Sequence, residues 1–110
     1  MADARVVLTT IGSQEAAAQF ARQLVERQLA ACVNIVGPMR SIYRWKHRIE
    51  DEEEFLLIIK TTGERAAELE TAFGELHPYE LSERVELSIE GGSSAYLDWI
   101  AAQVIRDPVQ

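Results

Sequence analysis

Arg5-Val6-Val7-Leu8-Thr9-Thr10-Ile11-Gly12-Ser13 is the stretch from which the fold can be read. The six residues after Arg5 are β-branched or apolar on both alternating faces, the pattern of a strand buried on two sides, and Gly12 ends the run. Ser13 is a natural N-cap, Glu15 sets negative charge in the first helical turn, and Ala17, Phe20, Ala21, Leu24 and Val25 recur at helical spacing to about Gln28. The chain therefore opens as strand, tight turn and helix.

Ala31 to Val36 predicts a second strand, interrupted by Gly37-Pro38, which implies a bulge or bend. Extended chain resumes at Arg40, and a third strand runs from Glu53 to Thr62 with Phe55, Leu57 and Ile59 on one face and Leu56 and Ile58 on the other. With Lys46-His47 as a two-residue turn, Trp45 pairs with Arg48, Tyr43 with Glu50 and Arg40 with Glu53. His47 is an awkward turn residue because that position often requires positive φ. Thr61-Thr62-Gly63-Glu64 has capping-box spacing, and Ala66, Leu69, Phe73 and Leu76 predict a second helix that stops at His77, before Pro78. Val85, Leu87 and Ile89 alternate with Glu86, Ser88 and Glu90 as a half-exposed fourth strand. Ser93 or Ser94 then caps a last helix whose sparse polar face predicts burial on more than one side.

The order β-α-β-β-α-β plus a C-terminal helix is the ferredoxin-like plan, an α+β fold with an antiparallel sheet, within a single domain over residues 1–110. Two crossover helices cover one sheet face, yet strands one and three are apolar on both. Self-association is the simplest remedy; the alternative is a monomer in which the terminal helix and bent second strand cover enough of the second face.

The chain has 110 residues and a formal net charge of −7, with 47% hydrophobic and 26% charged residues. This is globular composition, and its acidic balance disfavours nucleic acid and anionic membrane as partners. Met1-Ala2-Asp3-Ala4 lacks the features of a signal peptide and no stretch approaches a membrane span, so a cytoplasmic location is expected. A lone cysteine, Cys32, excludes an intrachain disulfide and, in its apolar strand, reads as a buried, inert thiol.

His77-Pro78-Tyr79-Glu80 is the densest polar and aromatic cluster. His77 and Glu80 could serve as metal ligands or as an acid/base pair, since imidazole suits copper, zinc and nickel and a carboxylate can add to it. The plainer reading is a helix-terminal His and a Pro-Tyr turn packed on the core. Glu50 to Glu54 reads as a solvated strand edge, partly neutralised by nearby Arg and Lys. Tyr43, Trp45, Tyr79, Tyr96 and Trp99 suit interface anchors or, less simply, the walls of a ligand cleft. No phosphate loop, G-x-S-x-G elbow, H-E-x-x-H or C-x-x-C motif occurs, so no enzyme is expected and no cofactor is required.

Six segments in order, Val6-Val7-Leu8-Thr9-Thr10, Leu29 to Ile35, Ser41 to Lys46, Ile58 to Thr61, His77 to Glu80 and Tyr96 to Ile100, resemble the CutA divalent-cation-tolerance family. The resemblance implies a compact homotrimer similar to PII signalling proteins and a role in tolerance of copper and other divalent cations, with weak metal binding. In some members the proposed copper ligands are a Cys and two consecutive His residues, at positions held here by Thr9, Leu76 and His77. It also implies an alternative, a PII-like module holding a small organic or anionic ligand in a cleft near Trp45, Lys60 and Tyr79, or a scaffold without catalysis.

Overall fold

The computed structural model describes residues 3–105. Strand β1 (Ala4–Ile11) leads into α1 (Gln14–Glu26), β2 (Cys32–Trp45), β3 (Arg48–Thr62), α2 (Ala66–Leu76), β4 (Val85–Ser88) and α3 (Ser94–Gln103), with a single 3-10 turn, Gly63–Arg65, ahead of α2. The strands form one antiparallel sheet in the order β2-β3-β1-β4. This is the ferredoxin-like α+β architecture with a C-terminal helix.

Alternation along the strands sorts side chains to two faces. Val7, Leu57 and Ile59 are fully buried on the face that α1 and α2 cover, where Phe20, Leu24, Leu69 and Phe73 complete the core. Burying each such side chain contributes roughly 1.5–3 kcal/mol relative to exposure. On the opposite face, Leu8 stands opposite Ile58 and Val85, and Val6 opposite Lys60 and Leu87. Among the described elements, α3 is the helix that packs there, through β1 and β3. It buries Ile100 and Val104 but leaves Tyr96 and Trp99 exposed, so it is covered on one side and not on several as its composition suggests. Val85, Leu87 and Val36 remain 45–50% exposed on that face.

Strands β2 and β3 are longer than their sequence signals. The break at Gly37-Pro38 is absorbed as a register shift between Val36 and Met39 within one continuous strand. Gly37 adopts φ +153°, and a Cβ there would lie 2.8 Å from Phe55 Cδ2, so both the backbone and the space call for glycine. Charge does not interrupt β3, because residues 48–54 pair with the β2 arm beyond the core. The expected pairs Trp45 with Arg48, Tyr43 with Glu50 and Arg40 with Glu53 all form. The Arg40 guanidinium nevertheless reaches diagonally to Asp51, at 2.8 and 2.6 Å, and not straight across to Glu53.

The caps divide. Ser13 and Ser93 accept hydrogen bonds from the amides of Ala16 and Tyr96, as Ser N-caps do. The Thr61 to Glu64 capping box does not form: Thr62 makes no side-chain cap bond, and Thr61 instead donates its hydroxyl hydrogen to the Leu29 carbonyl at 2.7 Å. Cys32 is partly exposed, correcting the expectation of burial, because it lies on the thinly covered face opposite Lys60.

At the hairpin tip Lys46 and His47 have φ of 49° and 67°, the left-handed pair of a type I′ turn. A non-glycine residue there costs on the order of 1 kcal/mol. His47→Gly is expected to raise the stability of the folded chain by about 0.5–1 kcal/mol, read as a higher urea midpoint with unchanged m-value. An unchanged or lower midpoint contradicts the assignment of strain to His47.

Candidate functional site: a buried histidine behind an acidic aromatic cleft

Helix α2 ends at Leu76 with His77 as its C-cap, because the Pro78 ring clashes with a helical conformation of the residue before it, and His77 accordingly has extended backbone angles of φ −72° and ψ 134°. This geometry turns the imidazole inward, where it is 8% exposed against the rings of Phe20 and Phe73. The Tyr79 amide donates to His77 Nδ1 at 3.1 Å, so Nδ1 is an acceptor and the neutral ring carries its hydrogen on Nε2. Nε2 lies 3.0 Å from Thr9 Oγ1 and donates to it. Burial lowers the His77 pKa from 6.5; contact with the Thr10 backbone and the charge of Glu54 oppose that shift without cancelling it.

Tyr79 passes the arrangement outward. Its ring packs edge-on to His77, and its hydroxyl donates to Glu54 Oε2 at 2.7 Å. Burial and then the Glu54 carboxylate raise the phenol pKa above its ordinary value, keeping the hydroxyl protonated. Glu54 is only 6% exposed. Beyond it opens a cleft of about 880 Å³ between the β2–β3 arm and the turn that follows Pro78. Tyr43, Trp45, Tyr79, Glu54, Glu80 and Glu83 line it, and no Lys, Arg or His does among the described residues.

The structure brings together Tyr43, Trp45, Tyr79 and Glu80 of the residues singled out in the sequence, with His77 behind them. Lys60, Tyr96 and Trp99 form a separate group: Lys60 Nζ lies 3.3 Å from the Tyr96 hydroxyl and over its ring, and Tyr96 stacks on Trp99 at 5.5 Å. Lys60 does not line the cleft, whose wall is acidic, so the basic residue expected beside Trp45 and Tyr79 is absent from it. Two roles were not legible in the sequence. Thr9 is the hydrogen-bond partner of His77, and Glu54, taken as part of a solvated charge run, is the buried end of that run. Its signal was phase, since Glu54 alternates with Leu56 and Ile58 on the thinly covered face.

The donor set does not suit a tightly held resident metal. Both His77 nitrogens are engaged within the chain, Glu80 is exposed, and no group of three His, Cys, Asp or Glu residues forms a metal cage among the described residues.

Sheet order, helix placement and the β2–β3 arm define a ferredoxin-like protein whose β-arm carries one wall of a ligand-sized cleft. The profile described as "CutA1 divalent ion tolerance protein" matches residues 5–103, and the chain belongs to that family. A "Divalent-cation tolerance protein CutA" from Thermus thermophilus is 46% identical over 86% of this chain and 92% of its own length. The solved Thermus thermophilus structure superposes with a TM-score of 0.88 at 44% identity, covering 91% of this chain and 97% of that one. The "Protein CutA homolog" of Xenopus laevis is 43% identical over 83% of this chain, which spans only 60% of that relative's length. A structure described as a periplasmic CutA, from Archaeoglobus fulgidus, has a TM-score of 0.88 at 36% identity, covering 93% and 99% of the two chains.

A neutral, buried His77 makes stability depend on pH. Below 6.5 the unfolded chain takes up a proton that the folded ring resists, so the unfolded state binds more protons and stability falls as pH drops from about 6.5 through the lowered folded pKa. Denaturant midpoints of the native chain are expected to fall more between pH 7 and pH 5 than those of His77→Gln. Parallel pH profiles would contradict the neutral assignment.

Proposed function

We propose that this chain acts in divalent-cation tolerance as a homotrimer in the cytoplasm, binding copper-type ions weakly and without catalysis. The observation that carries the proposal is the half-covered sheet: Val36, Val85 and Leu87 stay about half exposed on a face that α3 is too short to close. Contiguous apolar surface of this kind marks an interface, and closed cyclic symmetry allows three copies to cover one another's sheets. The extended β2–β3 arm offers a further edge for pairing between neighbours. Weak binding follows from His77, where an incoming ion must displace the Thr9 or Tyr79 hydrogen bond, at a cost of about 1 kcal/mol. The names of relatives include periplasmic and chloroplastic proteins. No helix among the described residues is long and apolar enough to cross a membrane.

A second reading is favoured by the cleft itself: a small-ligand module in which the space bounded by Tyr43, Trp45 and Tyr79 holds an organic molecule. Its volume lies within the range of small-molecule sites.

Light scattering is expected to give about three times the 12.4 kDa chain mass, with or without Cu²⁺. Leu87→Asp is expected to shift the mass toward one chain, and a native monomer would overturn the assembly. Calorimetric titration with Cu²⁺ is expected to show weak binding that His77→Ala reduces. Equal affinities would remove His77 from the site.

A further inference from the structure

Glu86 stands at the centre of a chain of charges that joins three elements on the helix side of the sheet. Its Oε1 accepts a hydrogen bond from the Arg5 guanidinium at 2.9 Å, and its Oε2 lies 3.7 Å from Arg84 Nε. Arg5 also donates to Asp3 Oδ2 at 2.7 Å, and Arg84 donates to Glu70 Oε1 at 3.0 Å. Signs therefore alternate along Asp3, Arg5, Glu86, Arg84 and Glu70, from the start of β1 through β4 to α2. The Arg5, Arg84 and Glu86 side chains are only 24–31% exposed, so these bridges are screened less than fully exposed pairs.

Strand β4 has little else to hold it. It is four residues long, lies at the sheet edge and pairs with β1 over Arg5 to Leu8. The chain is irregular on both sides of it, over residues 77–84 and 89–93. A short edge strand between irregular connections opens at lower cost than the core, because few apolar contacts are broken. Side-chain alternation adds a second consequence. Glu86 stands opposite Val7 and faces the helices, so Val85 and Leu87 on either side of it face the thinly covered side, where they are about half exposed. The ion chain thus grips β4 from one face, while the other face of the same strand carries the apolar residues that a neighbouring copy would cover.

We propose that these ion pairs form a salt-sensitive latch that fastens β4 to β1 and α2 and thereby holds Val85 and Leu87 in position for assembly. Rising ionic strength loosens it: at about 1 M salt the screening length falls to about 3 Å, the length of the bridges themselves. An opened β4 bares the edge of β1 and takes two apolar residues out of the associating face. The link to assembly rests on the homotrimer reading, whereas the latch is a property of the single chain. Glu86→Gln keeps the shape of the central residue and removes its charge. Arg84→Gln cuts the branch to α2 and leaves Arg5 with Asp3 and Glu86.

The test is amide hydrogen exchange of residues 85–89 in the full chain, read by mass spectrometry in low salt and in about 1 M NaCl. In low salt, exchange there is expected to be about three- to ten-fold faster in Glu86→Gln and in Arg84→Gln than in the native chain, and high salt is expected to bring the native chain close to the variants. Exchange of Leu57 to Ile59 stays unchanged, which separates local opening from global unfolding. Arg27→Gln, which removes the remote Arg27–Glu75 pair at 3.6 Å, leaves residues 85–89 as they were. Light scattering on serial dilutions is expected to show the two latch variants dissociating at higher protein concentration than the native chain. Equal exchange in the native chain and a folded Glu86→Gln, or native exchange that ignores salt, overturns the latch, as does equal acceleration by Arg27→Gln. If Glu86→Gln fails to fold, Arg84→Gln decides by the same readouts. Faster exchange with unchanged dissociation overturns the link to assembly and leaves the homotrimer standing. A native monomer overturns the homotrimer and that link together, while the exchange result still decides the latch.

Discussion

Strand β3 is paired on both edges, with β1 along Phe55 to Thr62 and with β2 along most of its length, and every other part of the molecule takes its position from that double pairing. Because side chains alternate along a strand, the register that sends Phe55, Leu57 and Ile59 to the helices must send Glu54, Leu56, Ile58 and Lys60 to the other face. A slip of one residue would invert both sets. The core and the cleft are therefore set by one register, with the buried carboxylate of the cleft next in sequence to a ring of the core.

That coupling explains why the site lies where it does. The end of α2, halted by Pro78, and the end of β1 meet beside Glu54, so Thr9, His77, Tyr79 and Glu54 form a continuous chain of hydrogen bonds from the core to the cleft. The inner end is neutral and desolvated, and the outer end is anionic and faces the cleft. A neutral histidine behind a protonated tyrosine behaves as a rigid support for Glu54 and as a reluctant metal ligand. Both properties come from the same desolvation.

The second sheet face has a different balance. It carries Leu8, Ile58, Val85 and Leu87 but receives one short helix, which buries two side chains there and leaves the rest partly open. Among the described residues no further element covers it. The proposed assembly solves this deficit by using identical surfaces to cover one another, which also gives the long β2–β3 arm something to lie against.

Much of the fold was legible in local pattern. The alternation of Val6 to Ile11 and Phe55 to Ile59, the Ser13 cap, the Pro78 stop and the Lys46-His47 turn each act over a few residues, so periodicity and backbone sterics determine element order and the hairpin register. The importance of His77, Tyr79 and Glu80 was visible as an unusual cluster. What tertiary structure alone decided was partnership. It set Thr9, 68 residues away in sequence, against His77, withdrew Glu54 from a run of solvated acids, and parted Lys60 from Trp45 and Tyr79. Such contacts depend on where distant strands end relative to one another, and no local pattern encodes the termination of β1 beside the turn after α2. The charge of the cleft is thus a property of packing: the acids were in the sequence, but only the fold placed them together without a base.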